Sequence, residues 1–297
     1  MSIIKRFFKK AWIILNNVRK DFKHGDPIVY SAAIAFFTIF SLPAISIILT
    51  LIGSAFFDEE KVRTEIVKEV DYLVSSEAAE QVSIVIENAL EVPAGFWGIT
   101  IGIVVVLQSS SIMFYIIQKG LNSVWKVKPR SDVSMLRLLR HRLRTLAMVI
   151  GLGLLFTLSL MLDTTVAMFS DQLRDVFEQY FSPAIRTIQT VFYLLIVFVF
   201  FTAILKVLPD AKVSWKDALA GGLITSILFL IGKQIINYML GSIKIAGIYA
   251  AAGSLVVLLL WVFYSSVILL LGAEVTKAYS HSQGRKTEAK DIAEVIS

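Results

Sequence analysis

Six long apolar runs constrain this chain more than any other feature of its 297 residues. Hydrophobic residues make up 56% of it and charged residues 18%, whereas a soluble domain carries about 25% charged residues. Each run exceeds the ~20 helical residues that cross a bilayer core, and a lipid-facing charge would be costly there. We therefore predict an all-α membrane protein with six transmembrane helices, at residues 28–57, 95–118, 143–169, 185–207, 216–240 and 246–276.

Residues 1–24 predict a basic amphipathic helix that lies on the membrane surface. Phe7, Ala11 and Leu15 recur at helical spacing, and lysine and arginine fill the opposite face, as in helices that bind anionic lipid. A simple topology anchor is an equally good interpretation, and the two are compatible. We expect no cleaved signal peptide, because the segment lacks a short apolar core followed by a small-residue cleavage site.

Loop charges predict the orientation of the chain. Lysine and arginine concentrate before the first predicted span and after the second, fourth and sixth, whereas the loop at 58–94 holds ten acidic residues against three basic ones. Basic loops remain in the cytoplasm under the positive-inside rule. We therefore predict a six-helix domain at 25–277 with both termini cytoplasmic and a polar cytoplasmic tail at 278–297.

The net charge of +6 would suggest nucleic acid binding in a soluble protein. In a membrane protein, contact with anionic lipid headgroups at the cytoplasmic face explains it better, so we expect no nucleic acid partner. The chain has no cysteine, and His24, His141 and His281 lie far apart. We therefore expect no metal site and no cofactor, and, since no enzyme motif is present, no enzyme.

The acidic loop at 58–94 predicts two short amphipathic helices. Val62 and Ile66 recur at helical spacing in its first half, as do Val82 and Ile86 in its second. We expect the two helices to pack over the outer face of the membrane domain. They would either cap a cavity or cover the helix ends.

A group of polar residues interrupts the fifth apolar run. Ser226, Lys233 and Asn237 share one helical face, and Gln234 is adjacent. Asp163 in the third run lies at a similar predicted depth. Because a buried ammonium needs a partner, we predict that Lys233 pairs with Asp163 or faces a wet cavity. Snorkelling of Lys233 to the outer headgroups is the alternative.

Two further polar groups are candidate sites. Gln108 and Ser110 lie in the middle of the second run, where they either bond to other helices or line a polar path. The other group consists of charges at the predicted inner ends of the helices: Asp26, Lys206, Asp217 and Glu274. These charges either hold helix ends at the headgroups or, for Glu274 above all, face protein.

Small residues and one proline indicate how the helices pack. Small residues spaced four apart let two helix backbones approach closely, and a proline inside a helix favours a kink. Ordinary bundle packing explains this pattern, and an interface between copies of the chain is the alternative. The positions are Ser31, Ala35, Pro43, Gly222, Ala250 and Gly253.

Short motifs along the chain together resemble the YihY/BrkB family. The resemblance covers about residues 20–280, and Ala250 is a departure where the family pattern has glycine. The fragments, in chain order, are Tyr30–Phe37 with Ser41-Leu42-Pro43, Leu121-Asn122 with Trp125, Leu208-Pro209 with Trp215, Asp217, Ala218 and Gly221, and finally Tyr249, Gly253-Ser254, Leu260-Trp261, Tyr264–Ser266 and Leu271–Glu274.

The resemblance implies a bacterial inner-membrane protein, from a family with members linked to serum resistance. The family has also carried the label ribonuclease BN. The sequence argues against that activity, because RNA hydrolysis uses clustered carboxylates or histidines and the predicted cytoplasmic loops offer mainly lysine and arginine.

Two classes of function fit these features. The first is a transporter or flippase of a lipid or another amphipathic anionic solute, since polar groups are expected inside the bundle. The second is a non-transporting scaffold that binds an envelope protein partner. A continuous polar cavity would favour the first, and a closed, dry bundle the second.

Overall fold

The computed structural model of the chain describes residues 18, 22, 26–54, 58–73, 76–90, 112–130, 151, 181–242 and 253–296. The predicted helical class is confirmed within these residues. The elements, in chain order, are α1 (Pro27–Ser54), α2 (Glu59–Leu73), α3 (Ser76–Leu90), α4 (residues 112–125), β1 (Val127–Pro129), α5 (Phe181–Val207), α6 (Trp215–Ser242), α7 (Gly253–Ser282) and β2 (Ala293–Val295).

Four of the predicted spans correspond to the long helices α1, α5, α6 and α7. The predicted spans at 95–118 and 143–169 and the predicted surface helix at 1–24 lie largely outside the described residues. Helix α7 runs six residues beyond the predicted end of its span at 276 and so includes the first residues of the predicted tail. The number of spans therefore stays a prediction.

Two helices in the described part of the chain are long and apolar enough to cross a membrane, at Trp215–Ile236 and Gly253–Ser282. Shorter apolar helical stretches occupy Pro27–Leu42 and Tyr193–Val207. On α6, an exposed apolar stripe recurs every fourth residue, which is typical of a helix that faces lipid. Its members are Leu219, Leu223, Ile227, Ile231 and Ile235.

Helix α7 is central to the bundle, since it packs against α1, α3, α5 and α6. Its contact with α6 depends on a reciprocal arrangement that we call the Gly–Thr seam: Gly221, Thr225, Gly272 and Thr276. A Cβ at Gly221 would lie 1.8 Å from Thr276 Oγ1, and one at Gly272 would lie 1.8 Å from Thr225 Oγ1. Each helix thus receives the other's threonine where it lacks a side chain, so that the two antiparallel backbones approach closely.

The threonines of the seam also satisfy their own hydroxyls. Thr225 donates to the Gly221 carbonyl at 2.8 Å, and Thr276 donates to the Gly272 carbonyl at 2.7 Å. A buried hydroxyl without a partner is costly, and this bond to the preceding turn removes that cost. The seam is therefore held by shape and by bonds internal to each helix.

Helices α2 and α3 form a hairpin with an apolar cluster of its own, made of Val62, Ile66, Val82 and Ile86. These are the apolar positions that the helical spacing singled out. The hairpin packs on α1 and on the first turns of α7, where Ser254 Oγ donates to Gln81 Oε1 at 3.1 Å. It therefore lies at the N-terminal end of α7.

The chain after α7 lies at the opposite end of that helix, about 45 Å away at ~1.5 Å per residue. Gly284 adopts a positive φ of 76° and ends α7 in a Schellman motif, with Arg285 N–H donating to Ser280 O at 3.2 Å and Gly284 N–H to His281 O at 2.9 Å. The chain then turns back, and β2 pairs antiparallel with β1, Lys128 facing Glu294.

Candidate functional site

Asp210 is the centre of a buried polar group at the end of the bundle that carries the C-terminal chain. It lies in the connection between α5 and α6 and is 3% exposed. Its carboxylate accepts hydrogen bonds from Gln118 Nε2 at 2.9 Å and from Asn122 Nδ2 at 2.7 Å. Asn122 Oδ1 in turn accepts the Asp210 N–H at 2.8 Å. A buried carboxylate requires such donors, and these bonds join α4 to the α5–α6 connection.

Lys290, in the C-terminal chain, holds the same connection from outside. Its N–H donates to the Asp210 carbonyl at 2.7 Å. Its Nζ donates to the carbonyls of Val207, at 3.0 Å, and Pro209. Since Val207 is the last residue of α5, the ammonium also lies where the helix dipole favours a positive charge.

Asp217 is a second buried acid, 1% exposed, in the first turn of α6. Its N–H donates to Ser214 Oγ at 3.3 Å, so Ser214 acts as an N-cap. Its carboxylate forms an ion pair with Arg285 of the C-terminal chain. We call the group that these contacts define the polar base: Gln118, Asn122, Asp210, Asp217, Arg285 and Lys290.

Glu274 forms a different pair, with Lys277 one turn later on α7. The Glu274 Oε2 to Lys277 Nζ distance is 3.1 Å, and both side chains are buried. The pair lies on a different face of α7 from the Gly–Thr seam, since Glu274 is two residues from both Gly272 and Thr276 and so points to the other side of the helix. Burying two charges costs desolvation energy that their attraction offsets only in part, so stability alone does not account for this pair.

The other two predicted inner-end charges occupy different settings. Lys206 Nζ donates to the Val213 carbonyl and lies 5.4 Å from the centre of the Trp215 ring, within range of a cation–π contact. It therefore closes the α5–α6 connection beside Asp217. Asp26 is exposed at the start of α1, where its carbonyl accepts the Val29 N–H at 3.0 Å.

The residues predicted in the middle of the fifth span lie on α6. Lys233 is half-buried, with its Nζ 5.4 Å from the centre of the Tyr193 ring. Ser226 is buried and donates to the Gly222 carbonyl at 2.7 Å, whereas Gln234 is exposed. Asn237 belongs to the same helix. The remaining predicted polar residues, Asp163, Gln108 and Ser110, lie outside the described residues.

The predicted packing positions lie at close contacts where the structure describes them. Ser31 and Ala35 are buried on α1, which continues through Pro43. A Cβ at Gly222 would lie 2.1 Å from Thr202 Oγ1 and 3.1 Å from its Cα, so α5 and α6 are also in close contact. Gly253 is buried at the start of α7. Ala250 lies outside the described residues.

Sequence reasoning missed Asp210, Arg285 and Lys290. The fragments Leu121-Asn122 and Leu208-Pro209 each belong to the family resemblance, but nothing in their spacing indicates that Asn122 meets the residue after Pro209. An available signal was Asp210 itself, an acid directly after a proline between two apolar runs. Among the described residues, no group of three metal-ligating side chains is found.

A family model described as Virulence factor BrkB matches residues 18–295. A UPF0761 membrane protein of Cronobacter sakazakii is 26% identical over 200 residues, which are 66% of this chain and 64% of that protein. Another, of Yersinia pseudotuberculosis, is 35% identical over 109 residues, 36% and 37% of the two chains. The chain thus matches less than two thirds of the length of these relatives. No solved structure matches it.

Proposed function

This chain belongs to the Virulence factor BrkB family of membrane proteins, and from that premise we propose that it moves a lipid or another amphipathic anionic solute across the bacterial inner membrane. The observation that carries the proposal is the set of buried charges in a bundle with an apolar exterior: Asp210, Asp217, Glu274 and Lys277. Ionisable groups inside a membrane protein are costly and typically mark a substrate or ion path.

We further propose six spans with both termini in the cytoplasm. The acidic hairpin α2–α3 and the C-terminal chain lie at opposite ends of α7, as this topology requires. The end with the C-terminal chain also carries exposed lysines, among them Lys212 and Lys216. Such an excess of lysine favours the cytoplasmic side, and it would attract anionic headgroups.

Glu274 and Lys277 are the pair that we assign to the transport path. They lie on the central helix, on the face away from the seam, and their mutual attraction offsets the desolvation of two buried charges only in part. Water or a polar solute that reaches the pair would therefore interact favourably with either charge. A solute headgroup that enters the bundle at this end would compete with one partner for the other. Glu274 and Lys277 would then alternate between an ion pair with each other and a state in which one of them binds the solute.

The test is lipid scrambling in proteoliposomes that contain the full chain. A fluorescent anionic phospholipid and a zwitterionic one are followed with a membrane-impermeant quencher, in wild type, Glu274→Gln and Lys233→Met. We expect the Glu274→Gln variant to lose at least about tenfold in rate, equivalent to ~1.4 kcal/mol at the barrier. Glu80→Gln, an exposed change on the α2–α3 hairpin, is the matched control and should keep the wild-type rate.

Because Glu274→Gln could also disturb folding, the charge-swapped variant Glu274→Lys/Lys277→Glu separates the two roles. It keeps an ion pair at the same place, so a purely structural pair should recover both stability and transport. We expect recovery of the unfolding midpoint in detergent without recovery of transport. Wild-type protein that scrambles neither lipid and takes up no anionic solute would contradict the proposal.

A scaffold function is the second candidate, and the α2–α3 hairpin favours it. The hairpin has its own apolar cluster, and its exposed surface is rich in acidic residues. A basic or polar partner in the envelope, or a second copy of this chain, could bind there without any transport. Loss of the cellular phenotype on neutralising the exposed hairpin acids, with transport absent throughout, would favour this function.

A further inference from the structure

The C-terminal chain at 285–296, which we call the latch, contacts two separate parts of the bundle. In its first half, Lys212 N–H donates to Glu288 O at 2.8 Å, Ala289 bridges to Ala211, and Lys290 bonds to the α5–α6 connection. In its second half, β2 pairs with β1 directly after α4. The latch therefore ties α4 to the α5–α6 connection.

The latch also contacts the two residues that supply the buried acids of the polar base. Arg285 pairs with Asp217, and Lys290 bonds to the backbone of Asp210. The Asp210 side chain bonds in turn to Asn122 on α4. Moving the latch away would therefore take the cation from the Asp217 carboxylate, free the Asp210 carbonyl, and remove one of the links between α4 and the α5–α6 connection.

Two sets of latch contacts, its sheet and its exposed ion pairs, are of the kind that break readily. Its strand has three residues, and an isolated two-stranded sheet is marginally stable in water. Its ion pairs Lys128–Glu294, at 3.1 Å, and Lys212–Glu288, at 3.5 Å, are exposed. Such pairs contribute little to stability and weaken with salt. Segments of this kind open locally while the core stays folded.

We propose that the latch is a reversible clasp, whose release lets α4 separate from the α5–α6 connection and opens the polar base during transport. The proposal rests on the transport function proposed above. Its physical basis is the contrast between the latch's short sheet and exposed ion pairs and the tight Gly–Thr seam that holds α6 on α7. The seam keeps these helices fixed while the latched end opens.

A disulfide across the latch tests this directly, because the chain has no cysteine of its own. Lys128 and Glu294 are register partners with exposed side chains, so Lys128→Cys/Glu294→Cys should form a bond on mild oxidation. We expect the oxidised full-length protein to lose at least tenfold in scrambling rate, and a reductant to restore it. Lys128→Ser/Glu294→Ser removes the same ion pair without a tether and should not lose activity. Neither single-cysteine variant should lose activity either.

Hydrogen exchange separates failure of this proposal from failure of the proposed function. Its readout is the exchange of the Lys212, Lys290 and Ile296 amides, which bond across the latch. We expect these amides to exchange at least a hundredfold faster than those of α7 at the seam. The latch proposal would be overturned if these amides exchanged as slowly as those of α7. It would also be overturned if the oxidised double-cysteine variant transported at the wild-type rate. Fast exchange in a protein that transports nothing would support the latch as a clasp and would contradict only the proposed transport function.

Discussion

The Gly–Thr seam and the polar base lie near the same end of the bundle but are held together in different ways. In the seam, Gly221 and Gly272 leave space that Thr276 and Thr225 fill, and no charge is involved. In the polar base, hydrogen bonds and ion pairs connect loops and chain segments that are far apart in sequence. Interlocked side chains resist sliding because packed atoms cannot overlap, whereas polar groups that separate can form hydrogen bonds with water instead. The seam is thus suited to be a fixed framework and the polar base to be a joint.

The largest effect expected within this comparison comes from adding one methyl group to the seam. In Gly272→Ala, the new Cβ would lie 1.8 Å from Thr225 Oγ1, so α6 and α7 would have to move apart. We expect a loss of about 3 kcal/mol in the free energy of unfolding, at the upper end for overpacking. Denaturant unfolding in detergent, followed by circular dichroism, measures it.

Gly151→Ala is the matched control for the seam, because a Cβ there would meet nothing within 4 Å among the residues that the structure describes. It should be neutral or slightly stabilising, since alanine favours a helix over glycine by up to ~1 kcal/mol. Combining Gly272→Ala with Thr225→Ala removes the clashing hydroxyl and should recover part of the loss. Equal effects of Gly272→Ala and Gly151→Ala would mean that the seam is not tightly packed.

The two regions also differ in how far the sequence could predict them. The long helices follow from apolar runs, because lipid selects composition locally: α6 spans Trp215–Ser242, where 216–240 was predicted. Close packing at Gly222 was also predictable, from its small neighbours four residues apart. Helix α7 continues to Ser282, six residues past the predicted end of the span at 276, and its last turns carry polar residues that are nevertheless buried, Thr276 and Lys277 among them.

The polar base could not be predicted in the same way. Asp210 and Asn122 are 88 residues apart in sequence, and Asp217 and Arg285 are 68 apart. Helical periodicity encodes which residues share one face of one helix, but it carries no information on which loop meets which. Asp217 was identified as a candidate from its position at a helix end, and its partner Arg285 was not.

An intermediate effect is expected from Asp210, at the centre of the polar base. Asp210→Ala leaves the amides of Gln118 and Asn122 without the carboxylate that accepts them. Unsatisfied buried donors cost about 1–3 kcal/mol, so we expect a loss of about 2 kcal/mol in unfolding free energy. Asp291→Ala, at an exposed position of the latch, is the control and should change it by less than ~0.5 kcal/mol. If both changes had the same small effect, the polar base would be as dispensable as the surface.

The smallest changes in unfolding free energy are expected from breaking two ion pairs of the latch itself. Arg285→Ala leaves the buried Asp217 carboxylate without its cation, whereas Lys128→Ala removes one partner of the exposed pair with Glu294. We expect about 1 kcal/mol for Arg285→Ala, discounted because the Arg285 side chain is itself partly exposed, and at most ~0.5 kcal/mol for Lys128→Ala. Unfolding midpoints at low and high salt measure both. Salt should erase the Lys128 effect and leave most of the Arg285 effect, because exposed pairs are screened far more than pairs with a buried partner. If Lys128→Ala cost more than Arg285→Ala, the sheet would be the stronger contact of the latch. Opening would then have to begin at Arg285.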